Sequence, residues 1–215
     1  MRDFSRKLMS YCEAHSSPPD PVLYELERET NLKTLAPQMA SGPLQGQFLT
    51  LLSQLLRPET ILEIGTFTGY AAICLAKGLA PGGKLHTIEV NEELEYISRK
   101  YFEKAGLSDK IIPHTGDAKQ IIPTLPGTFD LVFIDAGKLD YAHFYDLVFD
   151  RVRPGGLLLA DNVLWSGKVI QGETDKHTLQ LDAFNKKIRD DDRVDNLLLP
   201  IRDGMMIVRK KNSAR

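Results

Sequence analysis

The sequence has few of the features that mark secreted, membrane or strongly charged proteins. Two cysteines in 215 residues are too few for a disulfide framework. No apolar run approaches the ~18 residues of a membrane-spanning helix, and the N-terminus lacks the apolar core of a signal peptide. The net charge of −2 gives no overall field that would attract nucleic acid or an anionic membrane. These absences predict a cytoplasmic globular protein without a membrane partner.

Alternating strand and helix patterns occupy the chain from residue 60 onward. Apolar runs predict strands over residues 60–64, 84–89, 110–114, 129–134 and 156–160. Helices are predicted over residues 69–79, 91–105, 117–123, 140–151 and 175–190. Continuously apolar strands joined by helices are typical of a parallel sheet covered on both faces. The chain therefore predicts an α/β fold, with an antiparallel hairpin over residues 194–200 and 205–208 at the sheet edge.

The first 58 residues precede the first predicted strand and favour helices. Helices are predicted over residues 3–15, from Asp20 onward and over residues 45–56. A loop is predicted over residues 32–43. Asp20 is a favourable cap, and the proline after it suits a first helical turn. We expect residues 1–58 to cover a site or contact a partner chain, and residues 59–215 to form the binding core.

A glycine turn follows the first predicted strand. Gly65 and Gly69 are four residues apart, and Glu63 precedes the first of them. A dinucleotide-binding turn has a third glycine where its helix meets a pyrophosphate, and that glycine is absent here. The spacing thus favours a cofactor without a pyrophosphate, and the acid suits a cationic group such as the amino group of methionine, in contact directly or through water.

Two further acids follow the next predicted strands. Glu89 suits both hydroxyls of a ribose, and Asp117 suits the amine of an adenine. Each acid alone has a simpler explanation as a helix cap. Three acids at the carboxyl ends of successive strands together favour S-adenosylmethionine (SAM) as the cofactor.

Polar side chains also follow the fourth and fifth predicted strands. Asp135, Asp161 and Asn162 would surround one point if those strands are neighbours. Their oxygens suit Mg²⁺, or alternatively Ca²⁺ or Mn²⁺, rather than zinc. A helix cap and an Asp-Asn turn are the alternative explanations. A divalent cation there would lower the pKa of a substrate hydroxyl, and Lys138 would be a candidate general base, with a solvated lysine as the alternative.

Four motifs together resemble the cation-dependent class I O-methyltransferases, which include caffeoyl-CoA and catechol O-methyltransferases and bacterial relatives. The motifs are Glu-Ile-Gly-x-x-x-Gly-Tyr at 63–70, Phe-Ile-Asp-Ala-x-Lys at 133–138, Arg-Pro-Gly-Gly at 153–156 and Asp-Asn-x-Leu-Trp-x-Gly at 161–167. The resemblance extends from about Met39 to the C-terminus. It implies a Rossmann-like sheet of seven mostly parallel strands with an antiparallel last strand, helices on both faces, and a homodimer.

The resemblance also implies roles for individual residues. Those expected to bind SAM are Met39, Ser41, Glu63, Gly65, Thr66, Tyr70, Ala71, Glu89, Asp117, Ala118 and Asp135. The expected metal ligands are Asp135, Asp161 and Asn162, and the expected catalytic pair is Lys138, as general base, with Asp135. Trp165 would form a wall of the acceptor pocket beside Lys138, with a core tryptophan as the alternative.

The chain departs from the family pattern at two positions. Gly137 stands where the family often has an acid, so a third carboxylate near the metal is absent. Ala71 stands where a serine is common, which removes one hydroxyl contact to the cofactor. Residues 166–178 are expected to shape the pocket, whereas His143 and His177 are expected at the surface.

These patterns predict a SAM- and metal-dependent O-methyltransferase that acts on a vicinal diol, such as a catechol or a hydroxycinnamoyl-type phenol. One alternative is methylation of a hydroxylated wobble uridine in tRNA, for which a basic patch would come from Lys168, Lys176, Lys186, Lys187 and Arg189. A second alternative is a SAM-binding regulator without catalysis. The glycine spacing disfavours an NAD-dependent dehydrogenase.

Overall fold

Seven strands form one mixed sheet in a computed structural model that describes residues 2–212. The strands are β1 (Thr60–Ile64), β2 (Lys84–Glu89), β3 (Ile111–Thr115), β4 (Phe129–Ile134), β5 (Val152–Asp161), β6 (Val194–Leu199) and β7 (Met205–Lys210). Their spatial order is β3-β2-β1-β4-β5-β7-β6. The chain proceeds outward in opposite directions from β1 and from β4, so the loops that follow these two strands diverge and leave a crevice.

The direction of the strands agrees with the predicted topology. Strands β1 to β5 pair in parallel, whereas β7 runs antiparallel to both of its neighbours, β5 and β6. The hairpin predicted at the sheet edge is therefore present. Its second strand is inserted beside β5, so β6 is the edge strand.

Helices cover both faces of this sheet. Within residues 2–212 they are α1 (Arg2–Ala14), α2 (Pro21–Lys33), α3 (Gly42–Leu56), α4 (Tyr70–Ala76), α5 (Glu95–Lys104), α6 (Ala118–Ile121), α7 (Tyr141–Phe149), α8 (Lys168–Gln171) and α9 (Lys176–Arg189). Asp20 caps α2 as predicted, since its Oδ1 accepts the backbone N–H of Val22 at 3.0 Å. Asp175 caps α9 in the same way.

The apolar core divides into two layers because alternate strand residues point to opposite faces. Ile61 packs in a layer with residues of α2, α3, α4 and α5, whereas Leu62 packs in a layer with residues of α7 and α9. Both layers are fully buried at the centre of the sheet. The predicted Rossmann-like architecture, with helices on both faces, is confirmed.

Several boundaries differ from the sequence-based expectation. Helix α3 begins at Gly42, because Pro43 fits its first turn instead of ending a loop. Strand β5 begins at Val152, since a register irregularity between Phe129 and Leu131 lets the chain pair before its two glycines. The segment after β5 contains a short 3₁₀ turn, Trp165–Gly167, and α8, neither of which the pattern indicated. Among the described residues no helix has the length and apolar character to cross a membrane.

Candidate active site

A cavity of about 770 Å³ lies at the carboxyl ends of the central strands. It is lined by thirteen of the fifteen residues that the sequence proposed for the site, namely Met39, Ser41, Gly65, Thr66, Tyr70, Ala71, Glu89, Asp117, Ala118, Asp135, Lys138, Asn162 and Trp165. Glu63 and Asp161 are the exceptions. The proposed cofactor and acceptor residues therefore share one cavity.

The glycine turn brings the two sides of the cavity into backbone contact. Gly65 has φ +101°, and a Cβ atom there would lie 2.0 Å from the carbonyl oxygen of Asp135. The turn is held from the other side because Ile88 O accepts the Gly65 N–H at 2.9 Å. Gly69 has φ +95° and leads into α4. Only glycine fits at Gly65, since both its backbone conformation and its surroundings exclude a side chain.

Glu63 does not line the cavity, so the contact expected between its carboxylate and a cationic group, directly or through water, stays a prediction. It is 0 % exposed, and it belongs to the central strand β1. Its Oε2 accepts a hydrogen bond from Thr87 at 2.5 Å, and Thr87 shares a 2.5 Å hydrogen bond with Thr66 on the cavity wall. Burial raises the pKa of Glu63 to about 8. These two threonines connect Glu63 to the cavity wall by hydrogen bonds.

Glu89 and Asp117 lie on the side of the cavity at the carboxyl ends of β2 and β3. The two carboxylate oxygens of Glu89 accept the backbone N–H groups of Phe67 at 2.7 Å and Asn91 at 2.9 Å, which fixes the carboxylate at the cavity edge. Asp117 caps α6, since its Oδ1 accepts the N–H of Lys119 at 2.9 Å. The simple explanation as a cap is therefore correct for Asp117, and the same residue also lines the cavity.

Lys138 is the centre of the opposite wall. Its Nζ donates to Asp135 Oδ1 at 2.8 Å, to Asn162 Oδ1 at 2.9 Å and to the Tyr141 hydroxyl at 2.6 Å. Asn162 has φ +60°, a conformation that Asn tolerates better than most residues, and this turns its amide toward Lys138. Oxygen atoms from the ends of two adjacent strands, β4 and β5, therefore converge on one point. The ammonium group of Lys138 lies at this point, which indicates that the point attracts a cation.

Asp161 lies behind this point and is 0 % exposed. Its Oδ1 accepts its neighbour's backbone N–H at 2.8 Å, and its Oδ2 accepts Gln45 Nε2 at 2.8 Å. Burial, with the nearby charge of Asp135, raises the pKa of Asp161 to about 6. Asp161 therefore does not line the cavity, although its carboxylate is close enough to Asp135 to feel its charge, and its role as a metal ligand stays a prediction.

The donor set fits a hard divalent cation. Asp135 and Asp161 repel one another, Asn162 adds a neutral oxygen, and an ammonium group already lies between two of these residues. Carboxylate and amide oxygens are the ligands that Mg²⁺, Mn²⁺ and Ca²⁺ prefer. Within residues 2–212 no group of three or more His, Cys, Asp and Glu side chains is placed to hold a metal, so a site here depends on the Asn162 amide.

An aromatic wall completes the cavity. The Trp165 ring is half-buried and stacks on His177, with ring centroids 5.7 Å apart. Trp165 and Ser166 have φ values of +49° and +55°, and the carboxylate of Asp203 accepts the Ser166 N–H, which supports this unusual backbone. His177, expected only at the surface, is exposed and also lines the cavity. His143 is exposed as expected.

Three contributing residues were not indicated by the sequence. Gln45 lies inside a helix whose pattern showed only apolar periodicity, Tyr141 follows Lys138 by one helical turn, and Arg202 belongs to the hairpin turn. Only the spacing of Lys138 and Tyr141 offered a signal, since residues three apart on a helix face one another. The other two reach the site through long-range packing.

Comparison with known proteins agrees with this geometry. A family model described as O-methyltransferase matches residues 13–211. The chain is 36 % identical to a catechol O-methyltransferase from Niastella koreensis over 168 residues, covering 76 % of each chain. It is 32 % identical to a caffeoyl-CoA O-methyltransferase from Petroselinum crispum over 206 residues, covering 90 % of this chain and 86 % of the relative.

A solved structure shows the same fold with a cofactor product bound. An O-methyltransferase from Bacillus cereus in complex with SAH, S-adenosylhomocysteine, superposes with a TM-score of 0.87 at 31 % identity. The match covers 94 % of this chain and 96 % of that structure. The family match over nearly the whole chain, the catechol and caffeoyl-CoA relatives and this shared fold establish that the chain belongs to the class I O-methyltransferase family and is a SAM-dependent O-methyltransferase.

Proposed function

We propose that the protein transfers a methyl group from SAM to one hydroxyl of a vicinal diol, in a reaction that depends on a divalent cation. The observation that carries this proposal is the convergence of Asp135, Lys138 and Asn162 within hydrogen-bonding distance, on the cavity wall opposite Glu89. Mg²⁺ is the expected ion, with Mn²⁺ and Ca²⁺ as alternatives.

The cation would be held by Asp135, Asp161 and Asn162. When bound, it would lower the pKa of an acceptor hydroxyl and align the two oxygens of a diol. Lys138 would take the hydroxyl proton as the neutral amine and become the ammonium, since its Nζ lies beside Asp135 and Asn162, where the cation would bind. The buried Tyr141 hydroxyl supports the lysine, since it accepts from Nζ and donates to the carbonyl of Asp161 at 2.9 Å.

The donor half would bind SAM through the residues that line it. Met39, Ser41, Gly65, Thr66, Tyr70 and Ala71 would surround the methionine part, Glu89 the ribose, and Asp117 with Ala118 the adenine. Glu63 would act through Thr87 and Thr66 rather than by direct contact.

The aromatic wall favours a phenolic acceptor. Trp165 and His177 present flat rings beside Lys138, and a planar diol can stack against such a surface. The catechol and caffeoyl-CoA activities in the names of the two relatives support the same class, a catechol or a hydroxycinnamoyl-type phenol.

The test compares acceptors and metal states. Methyl transfer from SAM is measured with catechol and with 2-methoxyphenol, which lacks the second free hydroxyl, each after EDTA treatment and after Mg²⁺ is restored. We expect turnover of catechol only with Mg²⁺, and loss of turnover in Asp161→Asn with SAH binding retained. Equal turnover of catechol in EDTA would contradict the metal dependence.

The two competing functions have less support. Of the five basic residues that would attract tRNA, Lys168, Lys186, Lys187 and Arg189 each form an ion pair with a neighbouring acid. Such pairing weakens a basic patch. A regulator without catalysis would not need Lys138 against Asp135. Turnover of hydroxyuridine-containing tRNA but of no phenol would reverse this order.

We also propose that residues 1–58 cover the donor half and form a contact between two copies of the chain. Exposed apolar side chains are frequent on the N-terminal helices and include Leu8, Tyr11, Leu51 and Leu55. Light scattering coupled to gel filtration would detect the homodimer, and Leu55→Glu is expected to weaken it. A cytoplasmic location stays a prediction.

A further inference from the structure

The Gln45 side chain lies directly behind the proposed metal site. It is 0 % exposed, although Gln is a polar residue that is usually found at the surface. Its Nε2 donates to Asp161 Oδ2 at 2.8 Å, and its Oε1 accepts from Arg202 Nη1 at 3.2 Å. A buried amide with partners on both ends is a specific arrangement, because an unsatisfied polar group there would destabilise the fold.

The orientation of this amide follows from its two neighbours. A guanidinium group only donates hydrogen bonds and a carboxylate only accepts them. The amide oxygen must therefore face Arg202, and the amide nitrogen must face Asp161. Arg202 thus determines which end of Gln45 meets the carboxylate.

We propose that Gln45 is a positioning residue for the divalent cation, and that Arg202 influences the cation through Gln45. This inference rests on the proposed metal dependence. The backbone N–H of Asn162 holds one oxygen of Asp161 and Gln45 holds the other, so the plane of the carboxylate is fixed. Each oxygen keeps a second lone pair that can be offered to a cation.

Arg202 also connects this arrangement to the donor half of the cavity. Its Nη2 donates to the carbonyl oxygen of Gln38 at 3.3 Å, next to Met39 on the cavity wall. Loss of Arg202 should therefore weaken the binding of both the cation and the cofactor product. Loss of Gln45 should weaken mainly the binding of the cation.

The experiment measures Mn²⁺ binding to the intact protein, without an acceptor, from the electron paramagnetic resonance signal of free Mn²⁺. Gln45→Met keeps the side-chain length and removes both hydrogen bonds. Its Kd for Mn²⁺ is expected to rise about 10–100-fold, as is usual when a hydrogen bond to a metal ligand is lost. The matched control is Gln47→Met, two residues away on the same helix, where the side chain is half-buried and lines a different cavity. Its Kd should not change.

Arg202→Met supplies an independent variant, because Arg202 is exposed and its replacement leaves the core intact. Its Kd for Mn²⁺ is expected to rise less than that of Gln45→Met, and its Kd for SAH is also expected to rise. In the double variant the two effects on Mn²⁺ should not add, since Arg202 acts through Gln45.

The outcomes separate this inference from the function on which it rests. Wild-type affinity for Mn²⁺ in Gln45→Met would overturn the inference and leave the metal dependence standing. A wild-type protein that binds no Mn²⁺ would overturn both. If Gln45→Met does not fold, as judged by circular dichroism, unchanged Mn²⁺ affinity in Arg202→Met would overturn the inference instead.

Discussion

The two halves of the cavity are built from different parts of the chain. The donor half depends on backbone conformation, because Gly65 and Gly69 have positive φ values and lie against neighbouring atoms with no room for a Cβ. The acceptor half depends on side chains, with Lys138 held between Asp135 and Asn162. It also has free space, since a Cβ at Gly137 would meet no described atom within 4 Å. Changes in the donor half should therefore damage the fold, whereas changes in the acceptor half should alter the chemistry and leave the fold intact.

The largest effect is expected from Gly65→Ala. The added methyl group would lie 2.0 Å from the carbonyl oxygen of Asp135, which is backbone directly after the central strand β4 and cannot move aside without shifting the chain. The backbone at Gly65 must also keep its positive φ, which alanine disfavours. We expect a loss of more than about 3 kcal/mol in the free energy of unfolding, or no folded protein, measured by urea unfolding.

Gly82→Ala is the control for that substitution. Gly82 has a similar φ of +81°, but no described atom lies within 4 Å of its Cβ position. Its replacement should cost only about 1 kcal/mol, which is the penalty of the backbone conformation alone. Similar losses for the two variants would mean that the close approach of the glycine turn to β4 is not important.

The next effect is a loss of catalytic rate in a protein that keeps its fold. Lys138→Met should lower kcat about 10²–10⁴-fold, which is the usual contribution of a positioned general base. The Kd for SAH, measured by calorimetry, should stay near that of the wild type, because the methionine side is lined by other residues. Lys187→Met, which removes a surface pair with Asp146, is the control and should retain full activity. A Lys138 variant with wild-type kcat would refute the assignment of the base.

A smaller effect is expected from the pH dependence of stability. Burial raises the pKa of Glu63 from its ordinary 4.5 to about 8, so the folded protein holds this proton more tightly than the unfolded chain. The stability that Glu63 contributes is therefore complete below pH 4.5 and is lost as the pH rises to 8. The loss amounts to about 1.4 kcal/mol per pH unit in this range.

Glu63→Gln mimics the protonated acid at every pH. Without metal and cofactor, we expect it to match the wild type near pH 4.5 and to exceed it in unfolding free energy at pH 7 and 8. Urea unfolding at several pH values gives the difference. Glu103→Gln, at an exposed position of α5, should follow the wild-type curve. Parallel curves for the wild type and Glu63→Gln would show that Glu63 is ionised in the folded protein.

The sequence predicted which strand ends form the site more accurately than it predicted the directions of the side chains there. Strand periodicity, together with the rule that parallel strands end at one edge, placed Glu89, Asp117, Asp135 and Asn162 on a common cavity. The same periodicity could not show that Glu63 points inward, because β1 is apolar on both of its faces.

The parts that escaped prediction depend on long-range packing. Gln45 reaches Asp161 across 116 residues of chain, and His177 of α9 stacks on Trp165, which lies in a loop with two left-handed residues. No local pattern encodes such contacts. Gly137 is a different case. The sequence already revealed that an acid common in the family is absent at this position, but only the structure shows that there is space for its side chain.

The smallest effect, and the sharpest test of the free space, is expected at Gly137. Its φ of −59° suits any L-residue, so Gly137→Ala should raise the free energy of unfolding by about 0.4–1 kcal/mol, because it restricts the unfolded chain. Gly137→Asp should gain less without a divalent cation, because it adds a negative charge near Asp135. Mg²⁺ should close the difference between the two variants in thermal unfolding, since the cation would neutralise that charge. A loss of stability in Gly137→Ala would show that the acceptor half is as tightly packed as the donor half, and a gap that Mg²⁺ leaves unchanged would place the added carboxylate away from the cation.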